Sequence, residues 1–219
     1  MPARVLVTRP EPSASRTAAA LEAAGFEAVV APLMDHEALD WALPETRPQA
    51  VMITSAAGAR LAGPAAAALH DLPALCVGEA TAAAARRAGF AEAHALGGDV
   101  AALLDAAATR GFSRLLHLAG EDRTAVGMPA GIAITVRTVY RARLLPLADP
   151  GPLEAVLLYS PRSAAHFAVE WARLGRVPDL LLAALSPAVL TAAGPWARTV
   201  TAASPDEPSL LAALADAGL

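Results

Sequence analysis

Lysine is missing from this chain: all 17 basic residues among its 219 are arginine. Without lysine there is no Schiff-base amine, no pyridoxal-phosphate anchor and no Walker-A phosphate loop. Cysteine is almost missing as well. The single Cys76 excludes an intrachain disulfide and a cysteine metal cluster, and its place in an apolar run reads as a small buried residue. Aromatic residues make up only 4%, so the 55% hydrophobic content rests largely on alanine and leucine, enough for a core but built on small side chains. No uninterrupted apolar run reaches the roughly 18–20 residues of a membrane span. The start, Met1-Pro2-Ala3-Arg4, enters strand-like Val5-Leu6-Val7 without a secretory apolar region, so a cytoplasmic location without membrane attachment is expected. A net charge of −4 gives no general affinity for nucleic acid, and an anionic ligand has to be met by local arginines and backbone N–H groups.

Several chemical signatures are missing too. The first strand candidate is followed by "TRPEPSASR" rather than a G-x-G-x-x-G dinucleotide turn. No strand is followed by a G-x-S-x-G elbow. His36, His70, His94, His117 and His166 show no ligand spacing and read as solvated or hydrogen-bonded core residues, so no metal is expected. Glu121-Asp122 reads as an acidic helix opening that suits the helix dipole.

What the chain does contain is alternation. Apolar strand candidates at 4–8, 27–31, 50–54, 74–78, 92–96, 114–119, 132–140, 155–160, 180–185 and 198–202 are separated by Ala/Leu stretches with helical spacing. The helical stretches include 13–24, 56–69, 79–88, 99–109, 162–174 and 206–217. Strands alternating with helices of this length predict βαβ units and parallel sheets. The strands are rich in Val and Leu without strict alternation, as strands buried on both faces are. The order of segments also repeats. "AVMITSAAGARLAG" (50–63) is similar to "AVLLYSPRSAAHFA" (155–168), and "RVLVTRPEPSASR" (4–16) to "RLLHLAGEDRTAV" (114–126). The two α/β units this implies are interleaved: the unit opening at residue 4 is completed by the one at 155, and the unit at 50 by the one at 114. The expected architecture is therefore two similar flavodoxin-like α/β domains with five-stranded parallel sheets, one inserted in the other. The first comprises 1–33 plus 146–219 and the second 38–139, with linker strands at 32–38 and 140–147.

In open parallel sheets ligands bind beyond the carboxyl ends of the strands. Those ends carry Thr8-Arg9, Thr54-Ser55, Gly78-Glu79, Gly120, Tyr159-Ser160 and Ser186-Pro187. Hydroxyls and glycines at helix starts suit carboxylates or phosphates, which accept from free N–H groups. Each hydroxyl is also what an ordinary N-cap needs. The small residues after Thr54-Ser55 are expected to let the helix start approach a bulky ligand.

The strings "VLVTRPEPSASRTAAALEAAGFEAVVAPL", "AVMITSAAGAR", "CVGEATAAAARRAGF", "LLHLAGEDR", "TVYRA" and "VLLYSPRSAAHFA", in this order, resemble uroporphyrinogen-III synthases over nearly the whole chain. The resemblance implies two α/β domains joined by a two-stranded linker over an open cleft. It implies a cofactor-free lyase that closes the linear tetrapyrrole hydroxymethylbilane to uroporphyrinogen III, losing water and inverting ring D through an azafulvenium cation and a spiro intermediate. Such chemistry needs orientation of a flexible substrate, an acid for the departing hydroxyl, and shelter from water. By resemblance Tyr140 in "TVYRA" is the proton donor, and a phenol keeps its proton at pH 7. Arg9, Thr54, Ser55, Gly78, Thr81, Gly120, Arg123, Ser160, Arg162, Ser163 and Ser186 are the expected substrate contacts, with Arg60 a further candidate and Tyr159 a less favoured second phenol. Ser186-Pro187-Ala188-Val189 departs from a Gly-Pro-Thr-Thr-like family turn, and "GEDRTAVGMPAGIAI" leaves little room for a helix. A monomer receiving substrate from the preceding pathway enzyme is expected. The competing class is a non-catalytic bilobal module that binds an anionic small molecule or tetrapyrrole.

Overall fold

The structure is a computed structural model that describes residues 1–123, 131–177 and 179–219. In chain order the elements are β1 (Arg4–Val7), α1 (Ser13–Ala23), β2 (Glu27–Val30), β3 (Met34–Ala38), β4 (Ala50–Ile53), α2 (Ala56–Arg60), β5 (Ala74–Cys76), α3 (Glu79–Arg87) and β6 (Ala93–Ala95). Then follow α4 (Val100–Thr109), β7 (Arg114–Gly120), β8 (Ala133–Leu144), β9 (Ala155–Leu158), α5 (Pro161–Arg173), β10 (Leu181–Ala184), α6 (Pro187–Ala193), β11 (Arg198–Thr201) and α7 (Glu207–Asp216). The chain divides into two compact units, Met1–Asp35 with Arg143–Leu219, and His36–Ala142.

The sheet of the first unit has the order β2-β1-β9-β10-β11, and every pair is parallel. Val5, Val7, Ala155 and Leu157 enter the core on one face, and Leu6, Val156 and Leu158 enter the core on the other. Neighbouring residues of one strand are thus both buried, which is why these segments read as continuous apolar runs. Each fully buried Val or Leu contributes about 1.5–3 kcal/mol.

The second unit has the order β8-β7-β4-β5-β6, again parallel, with β3 added beside β8. With β7 standing for β1, as the sequence repeat has it, the two sheets share one strand order. The second sheet has six strands rather than five: the segment read as a linker strand is its outermost member. The amide of Leu39 donates to the Val139 carbonyl at 2.9 Å, and Arg141 Nε meets Glu37 Oε2 at 2.9 Å.

The helical stretch expected over 56–69 is broken. α2 ends at Arg60, and residues Pro64–Leu69 form a separate 3₁₀ turn. Pro64 disfavours helical geometry in the residue before it, and Gly63 supplies φ +67° at the break. Asp99 and Asp206 cap α4 and α7, each accepting at 2.8 Å from the amide three residues on. Pro12 caps α1 without a side-chain bond. The helix read as opening at Glu121-Asp122 falls on 124–130, outside the described residues, as does the middle of the segment read as too short for one.

Candidate functional site

In the first unit the carboxyl ends of β1 and β9 meet around one carboxylate oxygen. Arg9 Nη1 lies 3.0 Å from Glu207 Oε1, and its guanidinium carbon sits 4.1 Å over the Tyr159 ring. The same Oε1 accepts from the Tyr159 hydroxyl at 3.1 Å and from the Thr17 hydroxyl. Burial pushes the Tyr159 phenol up to about 12, so it holds its proton at neutral pH and acts as a donor to Glu207. The charge of Arg9, expected to face substrate, is balanced inside the unit. Thr8 is fully buried and donates to the Leu157 carbonyl at 2.8 Å, pinning β1 to β9.

Ser160 and Ser186 both precede a proline at the first position of a helix, where a missing N–H costs nothing. Ser160 Oγ accepts from the Ser163 amide at 3.2 Å and lies 2.9 Å from Ser163 Oγ; Ser163 is buried. Ser186 makes no side-chain cap bond to α6. Arg162 is exposed in the first turn of α5.

In the second unit Ser55 caps α2, accepting from the Ala57 amide at 3.2 Å. Thr54 Oγ1 is 3.0 Å from Nε2 of His117, which is 2% exposed. Burial, with the Arg123 charge adding to it, pulls the His117 imidazole down to about 4, so the ring is neutral and shares one hydrogen bond with the threonine. A Cβ at Gly58 would lie 2.8 Å from the Leu118 carbonyl oxygen. The bare Gly58 lets α2 approach β7. Gly78 starts α3 with extended backbone (φ −163°) and open space where a side chain would be. Thr81 is buried in the first turn of α3, and Arg60 is exposed at the last residue of α2.

Tyr140 stands across from Gly120. The pairing runs Ala119 to Thr138 and then Gly120 to Tyr140, so Val139 is an extra residue in β8. The Tyr140 ring covers Gly120 and meets the His36 ring edge-on at a centroid distance of 5.4 Å. Arg123 Nη1 donates to the Gly120 carbonyl at 3.2 Å and reaches Thr138 Oγ1 at 3.4 Å.

Of the expected residues, then, Thr54, Ser55, Gly78, Thr81, Gly120, Arg123 and Tyr140 belong to the second unit, and Arg9, Ser160, Arg162, Ser163 and Ser186 to the first. Sequence reasoning missed Glu207 as the partner of Arg9, His117 as the partner of Thr54, and His36 beside Tyr140. Glu207 read only as a helix opening, and nothing in the sequence joined it to Arg9. Among the described residues no group of three or more His, Cys, Asp or Glu could hold a metal, and no helix is long and apolar enough to cross a membrane.

Parallel α/β sheets with hydroxyls, glycines and arginines gathered at the carboxyl ends define a small-molecule-binding α/β protein. The family model described as uroporphyrinogen-III synthase HemD matches residues 15–212. The chain belongs to this family, lyases that close hydroxymethylbilane to uroporphyrinogen III. Among solved structures it is similar to the uroporphyrinogen-III synthetase from Helicobacter pylori 26695, at 17% identity and TM-score 0.64, covering 99% of each chain. It is also similar to a mutant uroporphyrinogen III synthase from Thermus thermophilus, at 16% identity and TM-score 0.48, covering 98% of each chain. The first of these likenesses concerns the fold. No curated protein matches the chain.

Proposed function

We propose that the chain performs this cyclisation with Tyr140 as the acid and with the strand-end hydroxyls, helix starts and arginines as holders of the substrate's carboxylates. The observation that carries the reading is the fixed phenol at the carboxyl end of β7, seated on Gly120. Tyr140 gives its proton to the terminal hydroxyl, which leaves as water. The azafulvenium cation closes onto ring D, and the proton released on rearrangement restores the phenol. Ser55, Gly78, Thr81, Ser160, Ser163, Ser186, Arg123 and Arg162 serve the carboxylates, Thr54 with its hydroxyl oriented by His117, and Arg9 with its guanidinium held over Tyr159.

The finer architecture we propose is a pair of flavodoxin-like domains, 1–33 with 146–219 and 38–139, linked by 32–38 and 140–147. The strand order supports it: in the first sheet the second strand lies outside the first and the rest follow in sequence, and the second sheet matches this order when β7 and β8 are counted first, with β3 added at its edge. We further propose a cytoplasmic monomer that receives hydroxymethylbilane from the preceding pathway enzyme. The acid role is tested with Tyr140→Phe, which loses the proton and keeps the ring. General acid catalysis is worth about 10²–10⁴-fold, so kcat falls in that range while KM stays within about twofold. Unchanged kcat assigns Tyr140 to packing.

A further inference from the structure

The geometry points to Gly120 as a positioning residue for the Tyr140 phenol, present as glycine so that the ring can lie across β7. A Cβ on Gly120 would lie 2.6 Å from Tyr140 Cζ, 2.7 Å from its hydroxyl oxygen and 3.0 Å from Cε2. These are the reacting end of the ring. The backbone does not require glycine here, since the φ of Gly120 lies outside the left-handed region. Neither backbone gives way easily. The Gly120 carbonyl accepts from Arg123 at 3.2 Å, and the Glu121 amide donates to the Tyr140 carbonyl at 2.9 Å, so both backbones are tied on either side of the contact. The ring is held from another side by His36, and its apolar body packs against the buried core cluster of the second unit.

The register makes this seat. Val139 is the extra residue that turns Tyr140 onto the face of Gly120, and an aromatic ring laid across a strand glycine covers the backbone the glycine leaves bare. A methyl at position 120 meets the hydroxyl end of the ring rather than its stem, so the ring has to swing and its oxygen moves most. A displacement of about 1 Å at a reacting group costs up to about 10²-fold in rate. Gly120, grouped with the substrate contacts by its place at a strand end, thus acts through Tyr140. The inference rests on Tyr140 being the acid.

The test is a double-mutant cycle on the full chain, with Gly120→Ala, Tyr140→Phe and the pair, each measured for kcat and KM with hydroxymethylbilane. The expected result is a kcat lowered about 10- to 100-fold in Gly120→Ala at nearly constant KM, and a double variant no slower than Tyr140→Phe alone. Wild-type kcat in Gly120→Ala beside a slow Tyr140→Phe overturns the inference and leaves the acid role standing. Multiplicative losses in the double variant overturn it as well. An unaffected Tyr140→Phe overturns the acid role itself. If Gly120→Ala does not fold, Gly120→Ala with Tyr140→Ala removes the ring that the methyl meets. Recovery of folding in that pair supports the contact, and continued misfolding refutes it.

Discussion

The buried pair Thr54–His117 makes a pH-dependent prediction that can be worked through. The imidazole is pulled from its ordinary value near 6.5 to about 4 in the folded chain, first by burial and then by the Arg123 charge. Between those values the unfolded chain binds a proton that the folded chain does not. Stability from this site is therefore present above about pH 6.5 and is lost as pH falls toward 4. Integrating the linkage from pH 7 to pH 5 gives about 2 kcal/mol of lost stability from this one group. His117→Gln removes the titration and keeps an amide that reaches as far as Nε2. The assay is urea unfolding of both proteins at pH 7 and pH 5. Wild type should lose about 2 kcal/mol more over that interval than the variant, whatever the variant loses in absolute stability. Equal losses in both proteins would refute the account of His117 as a neutral, buried partner of Thr54.

Gly58→Ala tests why the residues after Ser55 are small. The contact with the Leu118 carbonyl costs about 1–3 kcal/mol as overpacking, against a gain of about 1 kcal/mol from better helix propensity. The midpoint of thermal unfolding should fall by about 2–4 °C, while Gly78→Ala, with open space around it, leaves it in place; a stable Gly58→Ala contradicts the packing role. Glu207→Gln keeps the shape of the group that gathers Arg9, Thr17 and Tyr159 and removes its charge. It should cost about 1–2 kcal/mol in urea unfolding, and an unchanged midpoint means that the cluster holds nothing together.

Much of this fold is legible in the sequence because parallel strands buried on both faces must be apolar throughout. The runs at 4–8, 50–54, 155–160 and 180–185 are such strands. The repeat carried the interleaving of the two units, since like segments pair with like neighbours in the two sheets. β3 was harder: "MDHEA" has no apolar alternation, and its place at the sheet edge is decided by pairing with β8 about a hundred residues later. The break at Gly63-Pro64 was hidden by the alanines on both sides of it. The site was legible as positions rather than as partners. Strand ends followed from topology, but Glu207 lies 198 residues from Arg9 and His117 lies 63 from Thr54. The fit of Tyr140 on Gly120 depends on one extra residue in a strand that reads as regular. Contacts of this kind are made by the folded chain and leave no local pattern.

The central claim is that this chain directs ring closure, and the uroporphyrinogen isomer produced reports on that directly. Hydroxymethylbilane left alone closes to isomer I, whereas a synthase of this family inverts ring D. Incubation of the purified chain with hydroxymethylbilane, followed by chromatographic separation of the oxidised porphyrins, should give isomer III as the main product. Isomer I alone, at the rate seen without protein, would contradict the account.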